Sequence, residues 1–120
     1  MTQPRPTDIK LRTQSRLLEV HFDDGSHFEL PFEYLRVFSP SAEVTGHGGG
    51  EGVLQTDKRH VGITAVEPVG NYALRLHFDD GHNTGLYSWQ VLHELGRGHG
   101  ANWARYLERC VEAGVPRAPD

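Results

Sequence analysis

The chain is poor in the residues that build covalent cross-links or membrane spans. Among its 120 residues, Cys110 is the single cysteine, which excludes an intramolecular disulfide. No apolar run approaches the roughly 20 residues that a membrane helix needs. A positively charged, apolar leader segment is also missing from the sequence. We therefore expect a soluble, cytoplasmic protein.

The charge of the chain is not strongly one-sided either. Twelve Lys and Arg against sixteen Asp and Glu give a formal net charge of −4, which offers no general attraction to nucleic acid or to anionic membranes. The length favours a single domain, large enough for a real core. We place this domain at residues 9–114, between flexible termini at 1–8 and 115–120 that are rich in Pro and polar residues.

An internal repeat is the most informative feature that is present. Residues 18–25, LEVHFDDG, return 56 positions later as residues 74–81, LRLHFDDG. A short apolar strand and a helix-like segment follow each copy. A duplicated strand, turn, strand and helix unit is typical of a scaffold. Functional chemistry is therefore expected where the two copies differ.

Periodicity predicts an α+β fold, with a mostly antiparallel sheet from two duplicated hairpin–helix units packed with two or three short helices. Alternation places Leu18, Val20 and Phe22 on one face of a strand, which Asp-Asp-Gly turns into a hairpin. Phe28 and Leu30 are expected to continue the buried face. Further strands are predicted at 9–11, 61–69, 72–78 and 84–87, short helices at 31–37 and 89–95, and a loop at 96–100.

Capping residues indicate the expected helix ends. Side-chain caps are predicted at Ser88 for the helix at 89–95 and at Asn102 for the last helix. Gly96 is predicted to end the first of these helices in a left-handed conformation. The last helix is expected to carry one apolar stripe and to stop at a glycine and a proline: Trp103, Leu107, Cys110 and Val111, then Gly114 and Pro116.

The segment at 39–59 loses all periodicity and has no counterpart in the second copy. Its glycine-rich part, 46–52, lacks the Gly-Lys-Ser/Thr ending of a phosphate-binding P-loop, so we interpret it as a surface loop. The basic cluster Lys58, Arg59 and His60 beside it is typical of a solvated turn, although it is also able to meet an anion or an acidic partner.

Eight histidines invite a metal hypothesis. His21 with Asp23, and His77 with Asp79, have the strand spacing that puts each pair on one face. Imidazole and carboxylate suit zinc or iron. The alternative interpretation is that these are solvent-facing polar residues beside a turn. The sequence alone does not separate the two.

Neither the cysteine nor the two serines considered as nucleophiles lie in a sequence motif typical of catalysis. Cys110 falls on an apolar helical stripe, where a lone cysteine is usually a small core residue. Ser39 and Ser41 have no Gly-x-Ser-x-Gly setting, so a hydrolase is not indicated.

Several short motifs together resemble one family. They are FELP at 28–31, LRV at 35–37, SPSAEV at 39–44, GHG at 46–48, VGNYA at 69–73 and HFDDGH at 77–82. On these motifs the chain is identified as a member of the DUF971 family, similar to the N-terminal domain of gamma-butyrobetaine hydroxylase, and the resemblance spans about residues 9–95. In the hydroxylases a separate oxygenase domain holds iron and 2-oxoglutarate. That part has no counterpart here, so the resemblance implies no dioxygenase activity.

In the hydroxylases this domain holds a structural zinc ion, through a Cys-x-Cys-x-x-Cys run after a Leu-Arg pair and through one later His. The resemblance implies which positions of this chain would correspond. The equivalent positions here are Ser39, Ser41, Val44 and His82. Serine hydroxyls do not replace thiolates at zinc, and valine cannot coordinate a metal. We therefore expect no cofactor. A shifted zinc or iron site of Glu43, His47 and His82 is the alternative.

A related domain also resembles the C-terminal appendage of some Mrp-type P-loop ATPases that carry iron–sulfur clusters. This resemblance implies an accessory role in iron–sulfur or redox-enzyme assembly. Such clusters need several thiolate ligands. A chain with one cysteine would therefore act as a partner or adaptor.

Together these observations predict a non-enzymatic protein-interaction or accessory domain whose partner is another protein. The unrepeated insert at 36–59 is the expected binding surface, because loops on a rigid scaffold commonly carry recognition. The candidate contact residues are Arg36, Ser39, Ser41, Glu43, His47, Lys58 and Arg59. The alternative function is a metal-binding domain that uses His47 or His82 with nearby carboxylates. Pairing of an exposed edge strand with a second copy of the chain would give a homodimer, which the sequence neither predicts nor excludes.

Overall fold

Two three-stranded sheets and three helices form the part of the chain that the structure, a computed structural model, describes: residues 4–41, 44 and 52–117. The first unit consists of β1 (Pro6–Arg12), β2 (Leu17–Phe22), β3 (His27–Pro31) and α1 (Phe32–Val37); the second consists of β4 (Ile63–Val69), β5 (Ala73–Phe78), β6 (Leu86–Ser88), α2 (Trp89–Arg97) and α3 (His99–Glu112). Both sheets are antiparallel, in the orders β1-β2-β3 and β4-β5-β6. The predicted α+β fold with two hairpin–helix units is confirmed.

The repeated motif forms the same turn in both units. The amide of Phe22 donates to the carbonyl of Ser26 at 2.9 Å, and the amide of Phe78 donates to that of His82 at 3.0 Å. Gly25 and Gly81 have φ angles of 86° and 89°. A Cβ on either glycine would meet nothing within 4 Å. The motif therefore needs glycine for its backbone conformation rather than for space.

The duplication also includes the strand before each motif, which the residue pattern predicted at 9–11 and 61–69 without relating the two. Both β1 and β4 pair antiparallel with the strand that carries the motif, and each has an irregularity near its start. The amide of Asp23 donates to the carbonyl of Arg5 at 2.9 Å, and the amide of Asp79 donates to that of Gly62 at 2.8 Å. Each unit is thus a three-stranded meander.

The core joins the two sheets to α1 and α2 in one apolar cluster. Both middle strands bury the same alternating positions, as predicted for the first: Leu18, Val20 and Phe22, and Leu74, Leu76 and Phe78. Burying one such side chain contributes about 1.5–3 kcal/mol relative to its exposure. Leu30 is also buried, whereas Phe28 is only partly buried. A smaller cluster of Val37, Tyr106 and Cys110 attaches α3.

The start of α2 was predicted correctly, but its end was not. The Ser88 hydroxyl accepts a hydrogen bond from the amide of Val91 at 3.1 Å, which confirms the cap. The helix continues through Gly96 to Arg97, so the predicted left-handed stop at Gly96 is wrong. A Cβ on Gly96 would lie 2.3 Å from Cγ of Phe28. Glycine is therefore needed here for the close approach of the helix to β3.

The predictions for α3 need two corrections. The helix begins at His99 after a break at Gly98, so the predicted loop at 96–100 is mostly helical and Asn102 is not the cap. The Asn102 amide instead donates to the Tyr34 hydroxyl at 3.0 Å. Val111 is 77% exposed and lies off the apolar stripe, where Tyr106 is buried instead. None of the described helices is long and apolar enough to cross a membrane.

Both ends of the described chain contribute contacts beyond the predicted domain bounds of 9–114. The strand β1 already begins at Pro6. At the other end, Gly114 has the predicted helix-ending conformation with φ of 71°. The amide of Val115 then donates to the carbonyl of Cys110 at 2.8 Å. Arg117 forms a two-point ion pair with Glu33 of α1, at 2.9 and 2.6 Å.

Candidate functional site

The two copies of the repeated turn differ in what their second aspartate binds. In the first copy, Asp24 contacts His93 of α2 at 2.9 Å. In the second copy, Asp80 accepts hydrogen bonds from Arg36 at 2.9 Å and from Lys58 at 3.2 Å. These two cations belong to opposite ends of the unrepeated insert. One carboxylate of the scaffold, that of Asp80, therefore holds the two ends of the insert together.

The Asp80 ion pairs lie close to the protein interior. The Arg36 side chain is 8% exposed and also donates to the Gln55 side chain at 3.1 Å. Burial alone would raise the pKa of Asp80, but the amide of His82 and the side chains of Arg36 and Lys58 lower it below its usual range. Asp80 is thus a carboxylate at neutral pH.

The returning part of the insert, residues 52–59, rests on α3. The Tyr106 hydroxyl donates to the carbonyl of Gln55 at 2.8 Å, and the Arg109 side chain donates to that of Gly52 at 3.0 Å. Between these two attachments, Val53 is 54% exposed. The backbone is therefore held in place while an apolar side chain faces solvent.

The four positions that the family resemblance assigns to zinc lie together. The Ser39 hydroxyl is 2.9 Å from Nε2 of His82, and the amide of Ser41 donates to the same hydroxyl at 3.3 Å. The Ser41 and Thr84 hydroxyls are 2.6 Å apart. Val44 is buried beside them and donates its amide to the carbonyl of Ser41 at 2.9 Å. The four positions equivalent to the zinc ligands of the hydroxylases are therefore neighbours in this fold.

The residues at these positions do not fit a zinc ion. Hydroxyls and one imidazole lack the thiolates of a structural site, and the valine side chain has no donor atom. The imidazole of His82 is already hydrogen-bonded to Ser39. The cluster instead fastens the start of the insert to the loop before β6. Gly85 permits this contact, since a Cβ there would lie 2.3 Å from the Ser39 hydroxyl oxygen.

The candidate contact residues of the insert divide into three groups. Arg36, Ser39 and Ser41 are buried, and their side chains bind the scaffold as described above. Lys58 is partly exposed, and Arg59 is exposed. Glu43 and His47 lie outside the described residues, as do positions 46–51 of the predicted glycine-rich loop at 46–52. The accessible part of the described insert is therefore its returning segment.

Other candidates from the sequence lie elsewhere. Cys110 is fully buried in α3, as expected of a core cysteine. The Asp23 carboxylate accepts the backbone amide of Arg5 at 3.1 Å and does not pair with His21. His21 contacts Glu19 instead, with Nε2 2.7 Å from the carboxylate oxygen.

Sequence reasoning missed Asp80, because it interpreted the whole motif as a turn. One available signal was the residue two positions later. In the first copy Ser26 donates both its amide and its hydroxyl to Asp24, whereas the second copy has His82 at this place. His82 donates its amide to one oxygen of Asp80 at 3.1 Å but has no hydroxyl to add, and the other oxygen binds Arg36 and Lys58.

Comparison with known proteins identifies the family. The model of the family described as gamma-butyrobetaine hydroxylase-like, N-terminal, matches residues 9–93. Two NMR solution structures are 51% and 45% identical to the chain, each with a TM-score of 0.83; they cover 99% of this chain and 92% and 94% of their own chains. A crystal structure of a DUF971-family protein of unknown function from Acidithiobacillus ferrooxidans ATCC 23270 is 41% identical, with a TM-score of 0.65, and covers 77% of this chain and 92% of its own. No curated protein matches.

The chain therefore belongs to the gamma-butyrobetaine hydroxylase-like N-terminal domain family, DUF971. The resemblance drawn from the short motifs is confirmed.

Proposed function

We propose that this member of the family is a non-enzymatic accessory domain that binds another protein through the returning segment of its insert. The binding surface consists of Val53, Asp57, Lys58 and Arg59, which we call the insert surface. The observation that carries the proposal is the attachment of this unrepeated segment to the duplicated scaffold at Asp80 and along α3.

Rigid attachment favours recognition for a physical reason. Binding costs free energy for every loop and side chain that must be ordered in the complex. The backbone on both sides of Val53 is already held by Arg109 and Tyr106. An exposed apolar side chain on such a backbone is able to contact a partner with little further ordering. The exposed charged residues Asp57 and Arg59, later in the same segment, would supply orientation.

The nature of the partner follows from the family resemblance rather than from the geometry. The likeness to appendages of iron–sulfur-carrying ATPases makes a protein of iron–sulfur or redox-enzyme assembly the first class to test. In such a pair the thiolate ligands would come from the partner, because Cys110 is fully buried here.

Site-specific photo-crosslinking in cells of the source organism tests the proposal. A crosslinking amino acid at Val53 should capture one protein reproducibly, whereas the same residue at Tyr72, 56% exposed on the turn after β4, should not. The double variant Val53→Glu/Arg59→Glu should lower capture at least about tenfold without changing the melting temperature, since exposed substitutions usually alter stability by less than about 0.5 kcal/mol. Equal labelling from both positions, or capture that survives the double substitution, would contradict the assignment.

A further inference from the structure

The outer face of the first sheet brings three metal-ligating side chains together. Alternation along β2 points Glu19 and His21 away from the core strand positions, and the antiparallel register pairs His21 with His27 of β3. The two imidazole rings stack with centroids 4.4 Å apart. One ligand atom from each of the three residues lies within 4.8 Å of the others. Among the described residues, this is the group of three whose spacing suits a metal ion.

We propose that Glu19, His21 and His27 form a binding site for a divalent transition-metal ion of the zinc, nickel or copper class. Two imidazoles and one carboxylate are a ligand set that such ions accept, with solvent filling the remaining positions. This site is separate from the contacts among Ser39, Ser41 and His82, here called the serine–histidine cluster. It is also independent of the insert surface.

Small side-chain movements would complete the geometry. Metal–ligand bonds of about 2.0–2.2 Å separate tetrahedral ligand atoms by roughly 3.3 to 3.5 Å. The Glu19 oxygen and Nε2 of His21 are 2.7 Å apart, in a hydrogen bond that the ion would replace. His27 is exposed, so its ring is able to turn from the stack toward the shared point at little cost.

The surroundings prepare the carboxylate for this role. Arg12 donates to one oxygen of Glu19 at 2.7 Å, while the other oxygen faces His21. These two contacts hold the carboxylate in place with one oxygen directed toward the histidines. Arg12 repels a cation, and so does Lys10, which the register places opposite Glu19; Asp8 opposite His21 and Glu29 opposite Glu19 offset these two charges.

The second sheet repeats the face without the ligand set, and it provides an internal comparison. His77 occupies the place of His21 and Arg75 that of Glu19, whereas β6 begins only at Leu86, beyond the level at which His27 stands in β3. Within the described part of the chain, His77 contacts one carboxylate, that of Glu67 at 3.0 Å. The first hairpin therefore presents three ligands on this face, and the second presents a histidine–carboxylate pair.

Titration of the tag-free full chain with zinc chloride, followed by calorimetry, tests the site. The wild type and the control His77→Ala should bind one zinc ion per chain with the same affinity. His27→Ala and His21→Ala should each weaken binding at least about tenfold. Because His27 is exposed and near the end of its strand, its variant is expected to fold normally, which circular dichroism would verify.

Three outcomes would overturn the proposal. They are no binding to the wild type, unchanged affinity in His27→Ala, and an equal loss in His77→Ala, which would indicate weak adsorption to surface histidines in general. A His82→Ala variant distinguishes the other candidate, because loss of zinc there alone would assign binding to the serine–histidine cluster.

Discussion

At the residue scale, identical aspartates in identical turns have different roles. The Asp24 side chain is 39% exposed and contacts His93, whereas that of Asp80 is 26% exposed and joins Arg36 to Lys58. Local sequence sets the turn in both copies. The partners that the surrounding chain brings to each carboxylate set its role.

Replacing Asp80 is therefore expected to cost more than the same change in the first copy. Asp80→Asn should lower the free energy of unfolding by about 2 kcal/mol, because the buried Arg36 loses its charged partner. Asp24→Asn is the matched control and should cost about 1 kcal/mol or less. Urea denaturation of both variants measures the difference. Equal losses would show that the insert is not held by this ion pair.

The acid dependence of stability should follow the same carboxylate. The folded pKa of Asp80 lies below its ordinary value of 3.8. Its contribution is therefore fully present above that value and is lost as the pH falls through the folded pKa. The stability difference between wild type and Asp80→Asn should stay constant from about pH 7 to pH 5 and narrow below about pH 4. A gap that persists at lower pH would argue against a charge effect.

At the element scale, the two hairpins share a backbone but carry different outer faces and different helix contacts. The first hairpin carries His21 and His27 on its face, while the second carries His77 with Glu67. The helix α2 packs so closely on β3 that Gly96 lies directly against the ring of Phe28. The two copies therefore share their strand pairing but differ in the side chains on their outer faces.

Two glycines in neighbouring helices provide a matched test of this close approach. Gly96→Ala should destabilise the protein by about 1–2 kcal/mol, because the added methyl overlaps the Phe28 ring. Gly100→Ala meets nothing within 4 Å and should stabilise α3 by up to about 1 kcal/mol. Thermal melts of the two variants should shift in opposite directions. A stabilising Gly96→Ala would mean that the ring moves aside freely.

At the scale of the whole molecule, the last described residues tie α3 to the first unit. The Glu33 and Arg117 side chains are 10% and 6% exposed and meet through two hydrogen bonds. The Arg117 guanidinium also lies 5.5 Å from the centre of the Trp103 ring. The chain end therefore connects elements that are 84 residues apart in sequence.

Removing one partner of this ion pair should cost more stability than removing both. Arg117→Met is expected to lower the free energy of unfolding by about 3 kcal/mol, because Glu33 would be left buried and unpaired. The double variant Glu33→Met/Arg117→Met should recover most of the loss, since two apolar side chains leave no uncompensated charge. Chemical denaturation compares the three proteins. Additive losses in the double variant would contradict a direct coupling.

Local rules predicted most of the fold. The alternation around Val20, the glycine turn at Gly25 and the cap at Ser88 each depend on residues within a few positions, and all three are confirmed. The failures at Gly96 and Asn102 have a common cause. Both residues contact side chains far away in sequence, Phe28 and Tyr34, and these contacts override the local preference for a helix end.

The sequence by itself determined the duplicated scaffold and its family, because hydrophobic period, turn chemistry and motif order are written locally along the chain. Only the tertiary structure decided which polar residues act together. The buried Ser39–His82 contact, the Arg36–Asp80–Lys58 ion pairs and the histidine face of the first sheet all depend on how hairpins and insert pack. Chain packing sets these distances, and a linear pattern contains no measure of them.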